Sequence, residues 1–279
     1  RTPFLPSRRF DHAIVRATIG ERHFWLDPAA GPFGFDELPE GDQGVPALLL
    51  DYDRHEMLTT PRDSPERQLT SRQCRGELTG DGDYQFRADV TTTGEKAAQY
   101  RLFLQDRTPE HRRKALQQSV AEERPGAVVD EIEIGSVDNL AEPMRLAYRV
   151  LLKRWARPIQ DLMLFRVPWG ESCTMTGPMT AAERQLPTQL PVISDLRERH
   201  EIKLPSRFSG YGLPYVDERS CEGCSYRLEV TCVDGMLVCD RRMVLHGGII
   251  PPERFSSFKQ FWEDCTRSDQ IDIVLMRRS

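Results

Sequence analysis

Asp11-His12-Ala13-Ile14-Val15-Arg16-Ala17-Thr18-Ile19-Gly20-Glu21-Arg22-His23-Phe24-Trp25-Leu26-Asp27-Pro28 reads as a β-hairpin. Two runs rich in β-branched and aromatic residues, 10–19 and 22–28, are joined by Gly20-Glu21, a two-residue connection with Gly first. If Ile19 pairs with Arg22, then Ala13, Val15, Ala17 and Ile19 share a face with Phe24 and Leu26. The other face carries His12, Ile14 and Arg16 with His23, Trp25 and Asp27. Asp27 then stands opposite Ile14, and His12 is its diagonal neighbour, about 7–8 Å away at the backbone and on the same face. A slip of one residue would change these neighbours.

Beyond the hairpin, residues 29–68 are rich in Gly, Pro and acids, with one short apolar strand at Ala47–Leu50. Thr59-Thr60-Pro61-Arg62-Asp63-Ser64-Pro65 reads as a linker, so a boundary is placed there. From Gln68 onward the pattern is mostly β. Strands are predicted at 70–79, 83–93, 97–105, 127–135, 144–156 and 160–168. A helix between them is capped by Thr108, carries Pro109 in its first turn and stops at Arg124-Pro125-Gly126. Asp234-Gly235 turns Ser225–Val233 into Met236–Leu245. Pro251-Pro252-Glu253 opens a last helix over 252–266, with Phe255, Phe258, Phe261 or Trp262, and Cys265 on one buried face, and strand 271–276 closes the chain. The expected fold is α+β, mainly β: residues 1–60 as one part, and 67–279 as an antiparallel β-sandwich region with two helices, divisible at 67–168 and 169–279.

The chain has 279 residues, room for one large domain or two ordinary ones. Lys and Arg total 38 against 43 Asp and Glu, a net charge of −5 that weighs against general nucleic-acid binding. Residues 1–70 carry most of this excess. No apolar run approaches the length of a membrane span. The opening Arg1-Thr2-Pro3-Phe4 shows no signal-peptide architecture and enters a strand pattern at once, which reads as a chain whose natural N-terminus lies upstream. The 7 cysteines are odd in number and fix no redox compartment.

A His held by a carboxylate serves as a general base, because the carboxylate fixes its tautomer and stabilises the imidazolium. A chance surface pair is the bland reading of His12 and Asp27. The local sequence favours more: Asp11-His12-Ala13-Ile14-Val15, then Phe24-Trp25-Leu26-Asp27-Pro28, resembles the second half of a transglutaminase-like core, with its papain-type Cys–His–Asp arrangement. Gly44–Leu50, Gly76–Val90 and Pro251–Met276 resemble the C-terminal half of a bacterial subgroup in which β-rich domains of unknown function flank that core. The resemblance implies His12 as general base and Asp27 as its orienting partner. The nucleophilic Cys would lie upstream, since none of the seven cysteines precedes His12. It implies thioester chemistry on a protein or peptide amide with no cofactor, and a periplasmic or cell-envelope location. The isolated chain is then expected to be inactive. The rival reading is a non-catalytic β-sandwich binding or scaffold module of the envelope.

Two further groups stand out. Cys221-Glu222-Gly223-Cys224 has the spacing of a zinc knuckle or a redox dithiol, but Cys232 and Cys239 make no second knuckle, and structural cysteines are the bland reading. A metal or thiol-redox protein centred on this pair is a third reading. Arg145, Arg149, Lys153 and Arg157 lie four apart, the spacing of a solvated strand face or of a contact to an anionic partner.

Overall fold

The computed structural model describes residues 10–51, 54–173, 181 and 183–278. The chain is α+β and mainly β. Its first part holds two hairpins: β1 (Val15–Ile19) with β2 (Arg22–Leu26), and β3 (Pro46–Asp51) with β4 (Arg54–Thr59). The body follows with β5 (Leu69–Leu78), β6 (Tyr84–Thr92), α1 (Gly94–Leu104), α2 (Pro109–Glu123), β7 (Val128–Ile134) and β8 (Met144–Leu152). Short strands β9 (Arg157–Ile159) and β10 (Leu162–Phe165) lead to the long β11 (Thr188–Lys203) and to β12 (Phe208–Gly210). The chain closes with β13 (Tyr215–Cys221), β14 (Cys224–Val233), β15 (Met236–Ile250), α3 (Pro252–Asp269) and β16 (Ile273–Arg277).

Eight strands make one sheet in the order β13-β14-β15-β11-β5-β6-β8-β7. Every pairing in it is antiparallel except the middle one, where β11 runs parallel to β5. The antiparallel expectation for this region holds at every other pairing of the sheet. A parallel neighbour requires a long crossover, and the segment through β9 and β10 provides it. The halves on each side of this seam also share a second sheet, ordered β12-β16-β10-β9.

Alternation sets the core. Tyr84, Phe86, Ala88 and Val90 of β6, Met144, Leu146, Tyr148, Val150 and Leu152 of β8, and Tyr226, Leu228 and Val230 of β14 all point to one buried face. The small sheet joins that core through Met163, Phe165, Ile273 and Leu275, with Phe165 edge-on to Tyr84 at 5.3 Å between ring centroids. The opposite face is a lattice of cross-strand ion pairs: Arg75–Glu201, Arg87–Glu133, Arg199–Asp240 and Arg227–Glu218. Arg149 belongs to it, 2.7 Å from Glu131, and Arg157 pairs with Asp272 at 3.2 Å. The row of basic residues is therefore a solvated face at these two members.

Several expected elements differ. Residues 97–105 are not a strand: α1 occupies 94–104, giving three α-helices among the described residues where two were expected. Tyr100, Leu102, Phe103 and Leu104 suit a strand locally. The helix is fixed instead from a distance, where Gln68 Oε1 accepts the Glu95 N–H at 2.8 Å in place of a side-chain cap from Thr93. Strand β4 was not anticipated either; it pairs along the whole of β3. Strand 144–156 ends at Leu152, where Arg154 takes a positive φ of 49°. The last helix continues to Asp269, and its Phe255, Phe258, Phe261 and Cys265 are buried as the spacing required.

Candidate functional site

Strand β1 starts at Val15, later than the 10–19 reading, and His12 lies in the extended segment before it. The register is the one that Gly20-Glu21 implies: Ile19 faces Arg22 and Val15 faces Leu26. Asp27 directly follows β2. His12 Nε2 and Asp27 Oδ2 come within 3.1 Å, with 41% of the His12 side chain exposed against 5% for Asp27. The other Asp27 oxygen accepts the Ala29 N–H at 2.9 Å, which holds the carboxylate in place. The hairpin is anchored by Phe24 on Phe35, at 5.2 Å between rings, and by the Trp25 N–H reaching Asp36 Oδ1 at 3.4 Å. His23 pairs instead with Thr18, its Nδ1 2.9 Å from the hydroxyl, on exposed surface.

A second acid joins the pair, one that no sequence pattern singled out. Asp42 sits in the 3-10 turn Glu40–Asp42 with Oδ2 3.7 Å from His12 Nε2. Its segment is pinned by Gln43, whose Nε2 donates to Leu38 O at 2.7 Å and whose Oε1 accepts the Asp63 N–H at 2.9 Å. The hydrogen bond to Asp27 raises the His12 pKa above 6.5; desolvation opposes it as the next largest effect, and the charges of Asp27, Asp42 and Asp11 add to the rise. Burial chiefly raises the Asp42 pKa. Next to Asp42, a cleft of about 520 Å³ runs between this segment and the body, lined by Glu40, Gln43, Arg62, Gln68, Glu95 and Gln189.

With Asp27 taking Nε2–H, the lone pair of neutral His12 lies on Nδ1, where it can accept a proton from a thiol or hydroxyl. Among the described residues, no cysteine bonds to His12. Cys74, Cys173, Cys224, Cys239 and Cys265 are buried, and Cys221 and Cys232 are half-buried.

A second His–acid group was not anticipated, and it is buried at the seam. β5 and β11 place Arg72 beside Glu198 and Cys74 beside His200. Glu198 accepts from His200 Nε2 at 3.2 Å, from the Gly170 N–H at 2.8 Å and from Arg241 Nη2 at 3.2 Å, with Arg72 Nε 3.7 Å away. Arg241 also donates to Asp269, and its guanidinium stacks on Trp169 with 4.6 Å to the ring centroid. Tyr84 lies 3.1 Å from His200 Nδ1. Cys74, His200 and Glu198 have the composition of a catalytic triad. Their environment works against that role: burial pushes the Cys74 thiol far up and the His200 imidazole down, so both stay neutral.

Among the described residues, donor composition marks two groups that could hold a metal ion: His12, Asp27 and Asp42; and Cys74, Glu198 and His200. In the second, Tyr84 and Glu198 occupy both ring nitrogens of His200, which leaves no lone pair for a cation. Cys221 and Cys224 face each other across the β13–β14 turn, and Cys239 pairs with Val230 while Cys232 pairs with Leu237.

Residues 161–275 match a domain of unknown function. The family is described as a Domain of Unknown Function with solved-structure structure, DUF3858. The match runs from the small sheet through β11–β15 and α3. It includes Glu198, His200, Arg241 and the Cys221–Cys224 turn, and excludes His12 and Asp27. No curated protein and no solved structure matches the chain.

Proposed function

We propose that this chain carries the His–Asp half of a transglutaminase-like, papain-type cysteine hydrolase or acyltransferase of the bacterial cell envelope. One observation supports the reading above the others. His12 Nε2 lies 3.1 Å from a carboxylate that is itself buried and tied to the backbone, while the His12 side chain stays open to solvent. In this reading Asp27 orients the ring and His12 Nδ1 takes the proton of a cysteine thiol that lies outside these 279 residues. The thiolate attacks an amide carbon. The amine leaves with the proton from His12, and a thioester remains. Water, or a second amine, then attacks the thioester with His12 again as base, and the thiol is released. Peptide or protein amides are the substrate class, and no cofactor is required. The cleft beside Asp42 is the place for the substrate chain.

The experiment starts from the protein as its host makes it. Its intact denatured mass and N-terminal sequence are read first, and it is then treated with a peptidyl electrophile. The reading expects a mass well above 32.1 kDa, a cysteine upstream of His12, and labelling of that cysteine at least about tenfold slower in His12→Ala. A product that begins at Arg1 with no retained upstream piece, or labelling indifferent to His12, overturns it. A non-catalytic β-rich scaffold then becomes the better account.

A further inference from the structure

The hairpin β13–β14 turns through Glu222 and Gly223, and Gly223 takes the positive φ of 73° that the tight turn requires. The residues on each side of the turn are Cys221 and Cys224, and they are direct partners in the ladder. Directly opposed residues in an antiparallel pair stand about 4.5–5.5 Å apart at Cα. That separation falls inside the range of about 4.4–6.8 Å that a disulfide spans. An S–S bond can therefore close by rotation of the two side chains while the backbone stays in place.

The pair is unequal. β13 is an outer strand of the large sheet, so Cys221 lies at its free edge and is half-buried, whereas Cys224 is 4% exposed. The interaction between the two thiols lowers the Cys221 pKa and, with burial, raises that of Cys224. No other cysteine shares this setting. Cys74, Cys173, Cys239 and Cys265 are buried with thiols pushed upward, and Cys232 faces Leu237. Cys221 also opens on a cleft of about 430 Å³ between β13 and α3, lined by Arg219, Ser220, Glu222, Arg254 and Phe258.

We propose that Cys221 and Cys224 form a reversible dithiol–disulfide site for small aliphatic disulfides of the size of glutathione disulfide. The Cys221 thiolate attacks one sulfur of the incoming disulfide. The S–S bond of that disulfide breaks, and one thiolate leaves and takes up the proton that Cys221 lost. Cys221 is now in a mixed disulfide. Cys224 gives up its proton and attacks the Cys221 sulfur. The second thiol departs with that proton, and Cys221–Cys224 is oxidised. The hairpin has lost two electrons and two protons, and the small disulfide has become two thiols. Excess small thiol runs the same steps backwards. This site stands apart from His12 and Asp27 and does not depend on the function proposed for them.

The test uses the full chain, reduced, desalted and incubated with glutathione and glutathione disulfide in varied ratio. Acid quenching, alkylation and tryptic digestion follow. The tryptic peptide Ser220–Arg227 carries Cys221 and Cys224 and no other cysteine. The expected result is conversion of this peptide from its doubly alkylated form to an unalkylated one about two mass units lighter than the free dithiol, at ratios that leave the other five cysteines alkylated. In Cys224→Ser a glutathione adduct should persist on Cys221, formed at least about tenfold faster than on Cys232. A wild-type peptide that stays a dithiol in glutathione disulfide alone overturns the proposal. So does a Cys224→Ser variant whose adduct forms no faster at Cys221 than at Cys232.

Discussion

His12 lies 3.1 Å from Asp27, and His200 lies 3.2 Å from Glu198. The two pairs have the same chemistry and nearly the same length, yet their histidines shift in opposite directions. His12 is open to water, and its hydrogen bond to Asp27 outweighs the desolvation that opposes it, so its pKa rises. His200 is fully buried between Tyr84, Phe86 and Trp169, and the desolvation of an imidazolium there outweighs the attraction of Glu198. Arg72 and Arg241 have already claimed the negative charge of Glu198, which leaves less for the histidine. His200 is therefore a neutral hydrogen-bond link. Tyr84 donates to its Nδ1, and its Nε2–H donates to Glu198. A base needs access to solvent and a carboxylate of its own, and His12 has both.

The largest expected effect comes from breaking the buried member. Glu198→Gln leaves Arg72 and Arg241 short of a counter-charge at the seam, and unfolding in urea should show a loss of about 3–5 kcal/mol. A loss under 1 kcal/mol would mean that the seam does not rely on this charge.

Acid should act on the same network. Burial pushes the Glu198 carboxyl up, but the His200 hydrogen bond and the charges of Arg72 and Arg241 together outweigh it and hold the group down at about 2, against 4.5 for an ordinary glutamate. Below pH 4.5 the unfolded chain takes up a proton that folded Glu198 refuses. Stability present above 4.5 is therefore lost as pH falls towards 2, about 3 kcal/mol in all. His200, whose folded pKa is depressed, adds loss of the same sign below pH 6.5. His12 works the other way. Its raised pKa contributes stability that is full below 6.5 and disappears as pH rises through its folded value. Urea midpoints between pH 8 and pH 3 should thus fall towards acid, and a flat profile would contradict the assignment of His200 and Glu198.

Asp27→Asn keeps an acceptor for the Ala29 N–H and removes the charge beside His12. It should cost at most about 1 kcal/mol of stability while lowering the His12 pKa. The smallest effect is expected on the solvent face of the sheet. Arg149→Ala removes the pair with Glu131 and should change stability by no more than about 0.5 kcal/mol.

The exposed pair was legible in the sequence because everything that fixes it is local. Gly20-Glu21 sets the hairpin register, and the register carries His12 to Asp27. The helix at 109–123 was legible for the same kind of reason: Thr108 accepts the His111 N–H, and Pro109 follows it. The buried network was not legible. Its members meet only when β11 returns beside β5 in parallel, a pairing between residues distant in the chain. The strands also hide their phase. Arg197-Glu198-Arg199-His200-Glu201 and Asp240-Arg241-Arg242 are polar at both alternating positions, so no hydrophobic pattern marks Glu198, His200 and Arg241 as the inward set. Arg72 lies between inward Thr70 and Cys74 on β5. Asp42 and α1 escaped because Gln43 and Gln68 place them through contacts outside their own elements.

Nitrogen-15 NMR of the two imidazole rings between pH 8 and pH 5 tests the contrast most directly. His12 should titrate with a midpoint above 6.5 that falls in Asp27→Asn, while His200 stays neutral with its proton on Nε2 throughout. A His12 midpoint unmoved by Asp27→Asn, or a His200 that becomes an imidazolium in the folded protein, would contradict the account.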